Sequence, residues 1–144
     1  FVFEDFAAEK PGDPVRQLAL ARWYIFTDNP KKAIGVLEEI DRSGDVSPKA
    51  SNSVAVMMAQ AQIQDGRFER AEGTIERLIA SEDTMAAGYL FRSLLYDRQG
   101  KSDLASKWLE NTKQANKSGQ GRDKVVIKIR SPSNGPAEAV IYNT

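Results

Sequence analysis

The sequence predicts an all-α fold, an antiparallel helix-hairpin solenoid followed by a short C-terminal extension that is a candidate β-hairpin. Three observations predict it. Apolar residues recur at helical spacing from residue 14 to about residue 119. Short turns bearing Pro, Gly, Asp or Asn interrupt that spacing again and again. A pattern of small residues then repeats along the chain, with Ala33, Ala71 and Ala105 at separations of 38 and 34 residues.

The first helix spans residues 14–28, with Val15, Leu18, Leu20, Ala21, Tyr24 and Ile25 as its apolar positions. Asp13-Pro14 supplies an acid at the N-cap and a proline in the first turn. Asn29-Pro30 repeats that device. The helix after it carries Ala33, Ile34, Leu37 and Ile40 on one face. Ser47-Pro48 opens a third helix over residues 49–65, with Val54, Met57, Met58, Ala61 and Ile63 directed inward, and Gly66 closes it. Phe68, Ala71, Ile75, Leu78 and Ile79 mark the fourth. Residues 84–99, with Tyr89, Leu90, Leu94 and Tyr96, form the fifth, closed by Gly100. Leu104, Ala105, Trp108 and Leu109 mark the sixth.

Several further positions recur with the three alanines. Four residues after each stand Leu37, Ile75 and Leu109. Twelve before each stand Ala21, Ala59 and Ser93, and five before the second and third stand Gly66 and Gly100. Two helices approach closely only where both present small side chains, so Ala21 is expected to face Ala33, Ala59 to face Ala71 and Ser93 to face Ala105.

A unit of about 34 residues with this pattern resembles the tetratricopeptide repeat. The resemblance covers residues 14–119: repeat 1 at 14–47, repeat 2 at 52–85 and repeat 3 at 86–119. Residues 1–13 fit the end of a preceding repeat, with Phe3 and Phe6 as its large core residues and Pro11 as its terminal proline. The natural protein is therefore expected to extend upstream. The repeats are degenerate. Arg92 replaces the large core residue seen as Leu20 and Met58, Gln62 stands where the other units have Tyr24 and Tyr96, and the terminal proline is absent from all three complete units.

The resemblance implies a protein–protein interaction module with no catalysis: a scaffold, assembly factor or chaperone-like adaptor, expected to be bacterial. In a stack of such hairpins the first helices line a concave groove. Alignment places Leu18, Arg22, Ile25 and Phe26 there, then Val56, Gln60, Ile63 and Gln64, then Leu90, Leu94, Asp97 and Arg98, with core burial the alternative for about half of them. That surface suits an extended or helical peptide. The family's version that grips a C-terminal carboxylate uses Lys, Asn and Arg at places held here by Leu18, Arg22, Met57, Ala87 and Phe91, so that specificity is not expected. A self-assembling module and a regulatory domain of a larger enzyme are the competing readings.

Composition excludes other classes. The chain is 41% hydrophobic and 28% charged, with a formal charge of zero, so nothing in the overall charge favours nucleic acid or an anionic membrane. No apolar run reaches the roughly 18 residues of a membrane span. Cys and His are both absent, which removes disulfides, thiol nucleophiles, the usual zinc ligands and the commonest general base. No cofactor or metal is expected. A cysteine-free chain fits a bacterial periplasm or a cytoplasm equally. The chain opens on Phe1, without a signal-peptide pattern, and is expected to be a cut or processed product.

Four motifs have plain structural readings. Tyr24, within Arg22–Phe26, is expected to pack, whereas Arg22, Ile25 and Phe26 are free to recognise a partner. Residues 119–124, GQGRDK, lack the strand and the Gly-Lys-Ser/Thr ending of a phosphate loop and read as a linker. Asn116-Lys117-Ser118 is a glycosylation triplet by pattern alone. The pairs Glu38-Glu39 and Glu82-Asp83 read as solvated helix ends.

The tail, residues 120–144, departs from the helical pattern. Val125, Ile127 and Ile129 share one face of an alternating segment, and Lys124, Lys128 and Arg130 share the other with Val126. The SPSNGP stretch is turn chemistry, and AEAVIYN is a second candidate strand. A lone hairpin is marginal in water, so this one needs a surface. It either caps its own helices or pairs with a partner's sheet edge through Val125, Ile127 and Ile129; a disordered tail is the third possibility.

Overall fold

Pro14, Pro30 and Pro48 each open a helix, where a missing N–H costs nothing. Asp13 caps the first by accepting a hydrogen bond from Val15 N at 3.0 Å, and Ser47 caps the third through Ala50 N at 3.1 Å. Asn29 does not cap. Its side-chain amide turns back and donates to Thr27 O at 3.0 Å and to Thr27 Oγ1 at 3.1 Å.

The computed structural model describes residues 2–9, 12–44, 46–117, 123–131 and 135–143. Among them the protein is mostly helical, ending in a two-stranded antiparallel sheet. The elements are α1 (Val2–Glu9), α2 (Pro14–Phe26), α3 (Pro30–Ser43), α4 (Pro48–Gln64), α5 (Phe68–Ile79), α6 (Met85–Arg98), α7 (Ser102–Ala115), β1 (Asp123–Ser131) and β2 (Gly135–Asn143). The backbone of residues 2–9 is helical; Pro11 and the side chains of Phe3 and Phe6 lie outside the described residues. The chain divides into two units, Phe1–Arg67 and Phe68–Thr144.

In the first unit α2 packs on α1, α3 and α4. Its core joins Leu20 and Tyr24 of α2, Ile34, Leu37 and Ile40 of α3, and Val54 and Met57 of α4. Ala21 and Ala33 are both fully buried on the packed pair α2 and α3. Arg16 ties α1 to α2 through Glu9 at 3.0 Å. Val15, expected on the apolar face, is 74% exposed, and Leu104 of α7 is exposed too. Both stand in the first turn of a helix. Helical side chains tilt toward the N-terminus, so a first-turn side chain projects past the helix end.

Three corners share one backbone geometry. The turn residues Asp28, Gly66 and Gly100 have φ of 59°, 77° and 76°. The next N–H in each case reaches back five residues: Asn29 to Tyr24 O at 2.7 Å, Arg67 to Gln62 O at 2.8 Å and Lys101 to Tyr96 O at 2.8 Å. This satisfies an orphan carbonyl at the end of each first helix. Glycine takes the left-handed conformation freely. Asp28 does so while its carboxylate accepts a hydrogen bond from Gln64 Nε2 at 3.0 Å, which fastens the corner to α4.

In the second unit α6 is the central element, packed on α5, α7 and the sheet. It is buried nearly all round, with Leu90, Phe91 and Leu95 at 0% exposure, as a helix covered on several sides must be. Ser93 Oγ donates to Ala105 O at 2.6 Å, so the expected small-residue contact between α6 and α7 is present and hydrogen-bonded. Arg92, the departure from the repeat pattern, lies 5.0 Å from the Trp108 ring centroid and pairs with Glu76. Its stem packs while its charge stays paired.

Gly88 sets the approach of α5 to α6. A Cβ there would sit 2.6 Å from Ile79 Cγ1 and 2.9 Å from the Ile79 backbone nitrogen. Gly88→Ala is therefore expected to destabilise by about 1–3 kcal/mol through overpacking. At an open helical site the same change would gain up to about 1 kcal/mol from propensity. A urea titration decides the sign, and a stabilised variant would mean that α5 yields without cost.

Candidate functional site

Two surfaces stand out, one in each unit. On α2, Val15, Arg22 and Phe26 are spaced i, i+7 and i+11, which stacks them on one side of the helix. All three are exposed, Phe26 to 87%. Ile25 and Leu18 are half-buried against the core, and Tyr24 is buried, with Trp23 tilted against it at 5.3 Å. Burial, with a smaller contribution from the Glu4 carboxylate, raises the Tyr24 hydroxyl above its ordinary value near 10.

The α4 residues of the expected groove divide. Val56 and Ile63 are buried, and Gln60 is half-buried. Gln64 donates to Ile25 O at 3.1 Å and to Asp28, while its Oε1 is buried with no hydrogen-bond donor among the described residues. In the second unit Leu90 and Leu94 are core residues at 0% and 8% exposure, Asp97 is half-buried and Arg98 is exposed. Leu90 and Leu94 belong to the core because α5, α7 and the sheet surround α6.

The other surface is the tail hairpin. Both strands form, with Val125 opposite Ile141 and Ile127 opposite Ala139. The sheet rests on α6 and α7 of its own unit. The buried strand is β2, where Ala139, Val140, Ile141 and Tyr142 are all buried. Val125 is 46% exposed, and Ile127 and Ile129 are half-buried, so β1 is the half-buried strand that its alternation suggests.

Asn116, just past α7, holds β2 in place. Its Oδ1 accepts from Val140 N at 2.9 Å and its Nδ2 donates to Glu138 O at 3.2 Å. One side-chain amide thus serves as a short partner strand. Tyr142 adds two bonds, from its hydroxyl to Asn116 O at 2.9 Å and from its N–H to Asp83 O at 3.0 Å. The glycosylation triplet has a structural meaning instead, since the Asn116 nitrogen that a glycan would use is committed to β2. Nothing in sequence pattern marks Asn116 as the anchor of β2, because its partners lie 22 to 26 residues downstream.

A cavity of about 540 Å³ lies between α7 and the hairpin, lined by Leu109, Lys113, Lys128, Pro136 and Glu138 among others. Glu38, Glu39 and Glu82 are exposed, as solvated helix ends should be; residues 119–122 of GQGRDK lie outside the described residues, and its Asp123 and Lys124 open β1 rather than a linker. Among the described residues no cluster of three or more acidic side chains is placed to hold a metal ion, and no helix is long and apolar enough to cross a membrane. No family model matches the chain, and neither a curated protein nor a solved structure matches it significantly.

Proposed function

We propose that this chain is a protein–protein interaction module: a helix-hairpin solenoid of tetratricopeptide-repeat type that holds a partner segment and performs no chemistry itself. The observation that carries this reading is the exposed α2 stripe, where Phe26 stands 87% exposed with Arg22 one turn before it. Aromatic and arginine side chains are the residue types that dominate binding energy at interfaces. The identical corners at Asp28, Gly66 and Gly100 support the repeat architecture, and with it a role as scaffold, assembly factor or adaptor.

The test is affinity capture from an extract of the source organism, with the whole chain and an Arg22→Glu, Phe26→Ala variant as baits. Both positions are exposed, so the fold should tolerate the change. A specific partner is expected to bind the parent chain and to be lost from the variant, the loss being on the order of tenfold or more in affinity. The same partners recovered on both baits would remove the α2 face from the binding site.

A further inference from the structure

We propose that the outer edge of β1 accepts an extended acidic–apolar segment of another protein as a third strand. This rests on the interaction-module reading and gives it a second surface and a partner chemistry.

The hydrogen-bond directions of β2 establish which edge is open. Val140 N and Tyr142 N donate to Asn116 and Asp83, away from β1. In an antiparallel pair, alternate residues point toward and away from the neighbouring strand. Residues 139 and 141 therefore bond to their partners Ile127 and Val125, and residues 124, 126 and 128 direct N–H and C=O away from the sheet. Among the described residues nothing takes those groups: β1 has β2 as its only strand neighbour, and no other backbone bond reaches it. One edge of this sheet is closed by Asn116 and Asp83, and the other presents a row of free donors and acceptors.

The side chains on that open edge select the occupant. Lys124 and Lys128 are both exposed, have no ion pair among the described residues, and flank Val126, which is 42% exposed on the same face. The opposite face offers Val125 at 46% exposure and the half-buried Ile127 and Ile129. An incoming strand with acids on one face and apolar residues on the other matches both faces. A second copy of β1 does not. Pairing about Val126 sets Lys124 opposite Lys128 twice, and pairing about Lys128 sets lysine against lysine, and like charges directly opposite destabilise a sheet. Lysine on an edge also discourages unselective strand pairing, so the same residues exclude a basic or neutral strand and admit an acidic one.

The probe is a fluorescein-labelled peptide of about eight residues alternating glutamate and valine, with a lysine–valine counterpart as control. Binding to the whole chain is read by anisotropy, and amide exchange reports on residues 124, 126 and 128. The glutamate probe is expected to bind, to weaken with salt, and to slow exchange at those three amides. Lys124→Glu with Lys128→Gln, the glutamine avoiding a second acid opposite Glu138 of β2, should weaken it by about tenfold or more and admit the lysine probe. Val126→Pro removes the central outward N–H without touching the β1–β2 ladder, as proline is tolerated on an edge strand, and should abolish binding while Ala139 and Ile141 stay protected. No binding by the glutamate probe, equal binding of both probes, or indifference to the charge change overturns the proposal. So does a doubling of mass that Val126→Pro reverses, which would assign the edge to a second copy. Arg22→Glu with Phe26→Ala should leave the probe bound, and a loss there would move the probe to α2 and overturn the edge assignment. The capture experiment reads α2 and the probe reads β1, so each reading can fail alone.

Discussion

Phe91→Ala is expected to cost about 3–5 kcal/mol of stability, the range for deleting a fully buried aromatic side chain. Phe91 is the largest of the side chains with almost no exposure, and it stands at the middle of α6. The cost depends on whether the surroundings can collapse into the space left behind. Here they are held apart. Ser93 bonds α6 to the α7 backbone at 2.6 Å, and the contact of Gly88 with Ile79 already brings α5 as close as it can come. The void therefore persists, and the loss takes a large part of the roughly 5–15 kcal/mol that a domain of ordinary stability has. Phe91→Leu keeps much of the volume and should cost far less. Phe26→Ala is the internal control. That ring is 87% exposed, and its loss should stay within about 0.5 kcal/mol. Urea midpoints of the three variants decide the matter, and equal midpoints for Phe91→Ala and Phe26→Ala would be incompatible with this core.

The helices were legible because local signals agreed with each other. Pro14, Pro30 and Pro48 mark starts, Gly66 and Gly100 mark ends, and the apolar spacing between them has a helical period. The corner at Asp28 was not legible. Its geometry is that of a glycine, but a tertiary hydrogen bond from Gln64 holds an acid there instead. The role of Gly88 is illegible in sequence for a related reason. Within a helix a glycine reads as a mere weakness, and only the nearness of Ile79 gives it a purpose. In the tail, alternation located β1 as a half-buried strand, and the AEAVIYN stretch located β2 without showing how deeply it is buried. The run Ala139–Tyr142 has no alternation because β2 is buried on both of its faces. Which of the expected groove residues are core was not legible on the same grounds. Helical period identifies an apolar side, but it does not distinguish a side that waits for a partner from one that the protein's own elements cover, as α6 shows at Leu90 and Leu94.

Tyr142→Ala should release the hairpin and leave the helices folded. Tyr142 is 4% exposed, its hydroxyl donates to Asn116 O at 2.9 Å, and its N–H donates to Asp83 O at 3.0 Å. Removing a buried aromatic ring of this kind costs about 3–5 kcal/mol. A two-stranded hairpin is marginal alone, so it has no reserve to absorb that loss and unfolds once it leaves α6 and α7. The helical corners and the Ser93 bond to α7 involve no atom of the tail, so they should survive. The expected signature is loss of exchange protection at Ala139 and Ile141, unchanged protection in α2–α4, and new binding of a hydrophobic dye to the α6 surface that β2 covers. Tyr142→Phe separates the ring from its bond. It keeps the packing, loses one hydrogen bond worth about 1 kcal/mol, and should stay docked. If Tyr142→Ala instead melted every helix of the second unit in one step, the hairpin would be an integral part of that unit's core and not an element laid against it. The open edge of β1 would then be as rigid as the helices, and strand addition there would need no prior ordering of the tail.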